Sequence, residues 1–195
     1  MKILSVIGAL VAVSSLSGAT ITVLPSASGV MLGSTVAVAV DVNGLDAGAS
    51  PALGVYDITL NYDPAVLTYA SISWGTGLDV LGLGSLRNLS FDQNTVRLFE
   101  LSLDLAEDLN SLQPDAFRLA TISFQATGPG TSSLNLMSTT LGDAFGDPLQ
   151  LSVVNGSVGV QATDQVPEPQ YSLLGGLSLV ILVATQRGIA RRQHG

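Results

Sequence analysis

The chain has 195 residues, a formal net charge of −8, no cysteine and a single histidine. The absence of cysteine excludes disulfides, thiol catalysis and cysteine metal sites, and the position of His194 at the chain end leaves no histidine for a Ser/His/Asp triad. Fourteen of the 15 acidic residues lie between Asp41 and Asp164, where the only basic residues are three arginines. Nucleic acids and anionic membranes are therefore poor partners for this part of the chain.

Residues 1–19 have the layout of a secretory signal peptide. A positively charged start precedes an apolar run over residues 3–13, and Ser17 and Ala19 supply the small residues of a cleavage site. We expect export of the chain and cleavage after Ala19. Residues 20–165 then remain as one exported domain, long enough to bury an adequate core.

The first half of this domain shows apolar residues at a period of two, which predicts strands rather than helices. Four such runs occur, at residues 20–24, 36–42, 56–62 and 66–72. In the third run, the residues predicted to face inward are Tyr56, Ile58, Leu60 and Tyr62. Repeated glycines over residues 74–86 predict an irregular excursion.

The second half repeats the pattern. A strand is predicted at residues 95–104, with Phe99, Leu101 and Leu103 facing inward and with Val96 and Leu98 also covered. A polar and acidic segment at 105–115 has room for one short helical turn. Further strands are predicted at residues 120–126, 134–136, 149–153 and 158–160. About eight or nine short strands separated by turns predict an all-β sandwich, with jelly-roll or Greek-key order left open.

The order of these strand patterns resembles the cohesin-like sandwich of exported bacterial proteins. The resemblance is carried by the valine-rich strand at 36–42, by GVYDITLNYDPAVL at 54–67 and by FRLATISFQATGPGTSSLNL at 117–136. Cohesins bind calcium-loaded dockerin modules, and relatives with this fold bind polysaccharide. The resemblance thus implies a non-catalytic cohesin-like domain that binds polysaccharide or a surface protein.

Two sets of residues in the domain are candidates for ligand binding. Trp74, in the glycine-rich excursion, has an aromatic face that suits stacking on a sugar ring, although a single tryptophan also serves as a plug at the edge of a core. Several carboxylate groups are crowded in one acidic loop, and carboxylate oxygens are ligands that Ca²⁺ prefers. Their spacing is not that of an EF-hand loop. These residues are Asp104, Glu107, Asp108 and Asp115. The alternative for the loop is a solvated turn, and no other cofactor is expected.

The last thirty residues, 166–195, form a separate tripartite segment. A rigid break at Val166, Pro167, Glu168 and Pro169 is followed by an apolar helix predicted at 171–190, which is short for a permanent membrane span. Basic residues then close the chain and favour a cytoplasmic end. They are Arg187, Arg191 and Arg192.

This order of motif, apolar helix and basic tail resembles the PEP-CTERM sorting signal of bacterial envelope proteins. The resemblance implies an exosortase-type membrane protease as a partner, which cuts near the PEP motif after the helix has held the protein transiently in the inner membrane. An ordinary single-pass anchor is the alternative. We expect an exported, envelope-directed binding protein and no enzyme. Two alternatives remain open: a structural matrix component, and a carboxylate-dependent polysaccharide hydrolase.

Overall fold

The computed structural model describes residues 18–45 and 51–162, which contain eleven strands and one helix. In chain order these are β1 (Ala19–Pro25), β2 (Gly29–Met31), β3 (Thr35–Asn43), β4 (Leu53–Asn61), β5 (Leu67–Trp74), β6 (Ser85–Asp92), β7 (Thr95–Ser102), α1 (Ala106–Leu112), β8 (Phe117–Ala126), β9 (Gly130–Asp143), β10 (Leu151–Val154) and β11 (Gly156–Gln161). The prediction of an all-β sandwich is confirmed. Ala19, the last residue of the predicted signal peptide, is the first residue of β1.

The strands form two sheets. The five-stranded sheet has the order β10-β1-β3-β8-β5, and the six-stranded sheet has the order β2-β11-β9-β4-β7-β6. Most neighbouring strands are antiparallel, while β1 with β10 and β2 with β11 are parallel. Each sheet therefore has one face toward the core and one toward solvent.

The core lies between the sheets, where alternate residues of each strand point inward. In β3 the four valines at 36, 38, 40 and 42 are fully buried, as the period-two pattern predicts. In β4 the alternating residues Tyr56, Ile58 and Leu60 are fully buried, and Tyr62, just beyond the strand, is buried as well, which confirms the inward face predicted for this strand. Full burial of each large apolar side chain contributes about 1.5–3 kcal/mol, so the core supplies most of the stabilisation.

Two strands were not predicted, namely β2 and β6. Strand β2 has only three residues, and β6 lies at a sheet edge with most of its side chains exposed. Edge strands of this kind carry no clear alternation, because neither face is fully covered. The remaining nine strands coincide with predicted runs, although β9 extends over Gly130–Asp143 and is much longer than the run at 134–136.

The predicted register of β7 is wrong. Val96, Leu98 and Glu100 face the core, whereas Phe99 and Leu101 lie on the opposite side, which is partly exposed. Leu103 lies beyond the end of the strand and is half-exposed. The reason is that the charged residue Glu100 faces inward, where hydrogen bonds from neighbouring side chains compensate the cost of its burial.

Helix α1 confirms the short helical segment predicted between β7 and β8. Leu109 is its buried residue, and Gln113 follows its last turn. The Gln113 side chain accepts a hydrogen bond from the Leu53 amide at 2.6 Å and donates to the carbonyl oxygens of Leu53 at 2.9 Å and Gly77 at 2.8 Å. This side chain fixes the helix end to the start of β4 and to the 75–84 loop.

Candidate functional site

The six-stranded sheet has a solvent-facing side, which we call the outer face. Strands β9, β4, β7 and β6 form it in that order. Along β4, the outward residues alternate with the buried ones. The outward residues of β4 and β7 lie opposite one another as Val55 with Leu101, Asp57 with Phe99 and Thr59 with Arg97. Neighbouring side chains on one face of a sheet act together as a single surface.

One half of the outer face is apolar. Leu86 of β6 lies opposite Leu101 and is 54% exposed. Leu101, Val55 and Phe145 line a hollow of about 180 Å³ beside the sheet, and Phe145 is 70% exposed. Contiguous exposed apolar patches mark sites of interaction with other molecules, so this half of the outer face is a candidate for one.

The other half of the outer face is polar. Arg97 donates from Nε to Oδ1 of Asp57 at 2.8 Å, and its second terminal nitrogen bonds the other carboxylate oxygen. The hydrogen bonds from Arg97 hold the pKa of Asp57 below its usual range, and the same pair raises the pKa of Arg97. Ser138 lies opposite Thr59 and Thr140 opposite Asp57. This half offers hydroxyl groups and a satisfied ion pair rather than a free charge.

A buried polar network lies beneath the apolar half of the outer face. Glu100 is 1% exposed, and its carboxylate accepts hydrogen bonds from the Tyr56 hydroxyl at 2.8 Å, the Ser85 hydroxyl at 2.6 Å and Arg87 Nε at 2.9 Å. Burial, reinforced by the Glu100 carboxylate, raises the pKa of Tyr56 far above its usual range. The network joins β4, β6 and β7, so it stabilises the part of the sheet that carries Phe99 and Leu101.

A second concave site lies at the end of the sandwich, beside the 75–84 loop. We call it the Trp74 groove. It has a volume of about 720 Å³, and its walls include Trp74, Asp79, Leu112, Phe117, Arg118 and Thr121. Volumes of this order are typical of ligand sites. The Trp74 side chain packs against the core, as its interpretation as a plug at the core edge predicts, while sugar stacking at this residue stays a prediction.

Two glycines allow the loop to approach β8 and shape the Trp74 groove. A Cβ atom at Gly75 would collide with the carbonyl oxygen of Arg118, and one at Gly77 would collide with the Phe117 ring. The Gly75 amide donates to the Leu119 carbonyl oxygen at 2.8 Å. A larger side chain would displace the loop at Gly75, and at Gly77 it would displace the loop or the Phe117 ring.

The four acidic residues suggested for calcium lie around helix α1. Asp104 precedes the helix, and its Oδ2 accepts a hydrogen bond from the Val80 amide at 2.7 Å, while its Oδ1 is buried and has no partner within the described residues. Glu107 and Asp108 lie in the first turn of the helix, and Asp115 follows it. In residues 18–45 and 51–162, no three acidic side chains come close enough to share a metal ion. The structure therefore does not bring the four together as one set of ligands.

The three arginines between residues 18 and 162 each pair with a carboxylate. Arg87 pairs with Glu100 at 2.9 Å and Arg118 with Asp41 at 2.8 Å, and Arg97 forms the pair on the outer face. The described part of the chain thus combines an excess of acidic residues with arginines that are already neutralised. Anionic ligands find little electrostatic attraction there.

The predicted sorting motif lies outside the described residues. This applies to the break at residues 166–169, the apolar helix at 171–190 and the basic tail. Among residues 18–45 and 51–162, no helix is long and apolar enough to cross a membrane. Transient membrane anchoring and cleavage remain predictions.

Comparison with known proteins gives one family. Residues 20–160 match the family described as Cohesin domain. No curated protein sequence matches the chain.

Solved structures with the same fold include several cohesins. A non-cellulosomal cohesin from Archaeoglobus fulgidus is similar at 19% identity, with a TM-score of 0.56, and the match covers 76% of this chain and 94% of that one. The sixth cohesin of scaffoldin B from Acetivibrio cellulolyticus, in complex with a Cel5 dockerin, is similar at 21% identity, with coverage of 74% and 99% and a TM-score of 0.58. A type II cohesin from the same organism has a TM-score of 0.62 at 16% identity, with coverage of 72% and 95%.

Proposed function

The chain belongs to the cohesin domain family, and from this premise we propose that it is a non-catalytic binding protein that holds another protein on its outer face. The observation that carries the proposal is the presence of exposed apolar residues and a neutralised ion pair on one face of the same sheet. Leu86, Leu101 and Phe145 offer area for burial, while the Asp57–Arg97 pair and its neighbouring hydroxyl groups offer hydrogen bonds.

The chemistry of the outer face fits a protein partner. Standard protein interfaces bury about 800 Å² per partner, with an apolar centre and a polar rim. The scaffoldin B cohesin from A. cellulolyticus is seen in complex with a dockerin. A dockerin-like module is accordingly the first type of partner to test.

The proposed location is the bacterial cell envelope or surface. The signal peptide at residues 1–19 would export the chain, and the resemblance of residues 166–195 to a sorting signal suggests cleavage by an exosortase-type protease. The binding domain would then be presented at the cell surface or in the extracellular matrix. A domain that remained there without a partner would be a structural matrix component.

A polysaccharide ligand is the second candidate, and the observation that favours it is the Trp74 groove. The residues that line it include Trp74 and Phe117 together with residues that carry hydroxyl and charged groups. The groove and the outer face involve different residues, so a protein partner and a polysaccharide do not exclude one another.

Site-specific photocrosslinking tests the protein-binding proposal. A benzoylphenylalanine at Phe99 reports on the outer face, and the same group at Ser123 of β8 reports on the solvent side of the other sheet. In the cells that produce the protein, we expect a discrete crosslinked protein from position 99 and none from position 123. Equal crosslinking at the two positions, or none at position 99, would contradict the proposal. A structural matrix role would give crosslinks at both positions.

A further inference from the structure

We propose that the hollow beside the outer face receives a lysine or arginine side chain of the protein partner. This inference rests on the proposed function and adds the chemistry that the partner presents at one point of the interface. We call the site the Asp104 hollow. It has a volume of about 180 Å³, and its walls include Val55, Leu101, Asp104, Leu109, Asp143 and Phe145.

The Asp104 hollow continues the apolar half of the outer face. Val55 and Leu101 lie opposite one another on β4 and β7, and Phe145 is 70% exposed. A Cβ atom at Gly54 would collide with the Asp143 carbonyl oxygen, so the lack of a side chain there lets the turn after β9 close against the start of β4. Apolar walls of this kind suit the methylene stem of a lysine or arginine side chain.

Asp104 gives the hollow a buried negative charge. Its side chain is part of the wall, and the residue is only 9% exposed. Its Oδ2 accepts a hydrogen bond from the Val80 amide at 2.7 Å, whereas its Oδ1 is buried and has no partner within the described residues. An acceptor without a partner is unfavourable in a buried position. The carboxylate charge also acts more strongly through the protein interior than through water, so it attracts a cation in the hollow even without direct contact.

Asp143 adds a second carboxylate to the wall of the hollow. Its Oδ1 accepts hydrogen bonds from the Phe145 amide at 2.8 Å and from the Asp147 amide at 2.9 Å, which fix the group in its turn. Both bonds use Oδ1, so Oδ2 is the oxygen left for an incoming donor. Ammonium and guanidinium groups form strong, charge-assisted hydrogen bonds with carboxylates.

The charge balance of the hollow favours the cationic end of a side chain over an anion or a metal ion. All three arginines of the described residues pair with carboxylates that do not line the hollow. Among the same residues, no three acidic side chains come close enough to share a metal ion, whereas Ca²⁺ takes about six to eight oxygen ligands. Two carboxylates between apolar walls fit one cationic group on an apolar stem.

Thiol reactivity tests the charge of the hollow without the partner. The chain has no cysteine, so Phe145→Cys and Met137→Cys each introduce a single thiol. Both native side chains are 70% exposed, and Met137 does not line the hollow. The reaction rates of a cationic reagent, trimethylammonium-ethyl methanethiosulfonate, and of its anionic sulfonatoethyl counterpart are compared at low ionic strength.

We expect the ratio of the cationic to the anionic rate to be at least fivefold higher at position 145 than at position 137, because the local potential raises the concentration of the cation. Adding Asp104→Asn should lower the ratio at position 145 at least twofold. Equal ratios at the two positions, or an unchanged ratio in Asp104→Asn, would overturn the proposal.

A double-mutant cycle identifies the cationic side chain. The partner found by crosslinking from position 99 is purified, and its lysines and arginines are replaced one at a time by methionine. By calorimetry, we expect one of these replacements to weaken binding to the wild-type chain at least tenfold and to weaken binding to Asp104→Asn no more than twofold. The absence of any replacement with this behaviour would overturn the proposal.

Matched variants of the chain assign the effect to the hollow. Asp104→Asn and Asp143→Asn should each weaken binding of the unmodified partner at least fivefold. Asp115→Asn removes the same charge from an exposed residue outside the hollow and should leave the affinity unchanged. Asparagine still accepts the backbone hydrogen bonds of the Asp143 turn, so Asp143→Asn replaces Asp104→Asn in both binding experiments if the latter fails to fold.

The same measurements separate this inference from the outer-face proposal. If both hollow variants bind the partner as the wild-type chain does, while Thr59→Arg in the middle of the outer face loses affinity, the hollow assignment fails and the outer-face proposal stands. If position 99 gives no crosslinked protein, both proposals fail.

Discussion

Replacement of Glu100 by alanine is expected to destabilise the domain far more than loss of an exposed ion pair. The Glu100 carboxylate is buried and accepts hydrogen bonds from Tyr56, Ser85 and Arg87. The alanine variant leaves the Tyr56 hydroxyl with only the Leu119 carbonyl oxygen, at 3.4 Å, and leaves Arg87 without its carboxylate. The fully buried Tyr56 hydroxyl then lacks an adequate partner, and the partly buried Arg87 keeps only its hydrogen bond to the Gly75 carbonyl oxygen at 3.1 Å.

The magnitude follows from the burial of each partner. Removal of one member of a buried pair costs about 3–5 kcal/mol, and the three hydrogen bonds are coupled, so their contributions do not add. The Arg87 side chain is 35% exposed, which allows water to replace part of its lost contact. We therefore expect about 3 kcal/mol for Glu100→Ala, and a smaller loss for Glu100→Gln, because glutamine keeps one acceptor and the shape of the side chain.

Equilibrium unfolding in urea measures these differences. The matched control is Asp41→Ala, which breaks the exposed Asp41–Arg118 pair, and exposed pairs of this kind contribute about 1 kcal/mol or less. We expect a large shift of the midpoint for Glu100→Ala, a small one for Asp41→Ala, and unchanged slopes for both. A loss in Glu100→Ala no greater than that in Asp41→Ala would refute the importance of the buried network.

Three further predictions concern pH, processing and calcium. Because the pKa of Tyr56 is raised in the folded state, the stability that Tyr56 contributes is complete below the ordinary tyrosine pKa of about 10 and declines above it. Tyr56→Phe should therefore reduce the decline of the unfolding free energy at high pH. An unchanged pH profile in this variant would contradict Tyr56 as the cause. Intact-mass measurement on envelope material should show a chain that ends near Pro169, whereas a chain that ends at Gly195 would indicate a permanent anchor. Thermal unfolding should give the same midpoint in calcium and in sodium at matched ionic strength, because the acidic residues near α1 do not lie close enough together to share one ion. A calcium-specific rise of the midpoint that Asp108→Asn removes would restore the calcium hypothesis.

The sequence predicted those parts of the fold in which packing imposes a clear period of two. The valines of β3 and the inward residues of β4 lie between the two sheets, so their pattern and their burial agree. Strand β6 was not predicted because it is an edge strand whose side chains are exposed or only partly buried. A local pattern does not show which strand will lie at an edge, since this depends on the pairing of distant segments.

The register of β7 could not be read from hydrophobicity alone. Glu100 breaks the inward alternation, and the apolar Phe99 and Leu101 suggest the opposite face. The compensating groups come from other strands, with Tyr56 on β4 and Arg87 on β6, so the burial of Glu100 depends on tertiary contacts. Local pattern and structure disagree at the same place where apolar residues are exposed on the outer face, as is expected of functional sites.

The candidate ligand residues were predicted unevenly for a similar reason. Trp74 was singled out by its residue type alone, whereas the groove beside it depends on β8 and on the close approach of Gly75 and Gly77. The acidic residues near α1 are neighbours in sequence and do not form one group in space. Closeness in sequence does not show which side chains the fold brings together.

Binding of the crosslinked partner to outer-face variants tests the central claim most directly. With the partner identified from position 99 and purified, calorimetry compares the wild-type chain with Thr59→Arg, which places a bulky charge in the middle of the outer face, and with Ser123→Arg on the opposite sheet. The outer-face account predicts at least a hundredfold loss of affinity for Thr59→Arg, equivalent to about 2.8 kcal/mol, and unchanged affinity for Ser123→Arg. Equal affinities for the two variants, or a loss confined to Ser123→Arg, would contradict it.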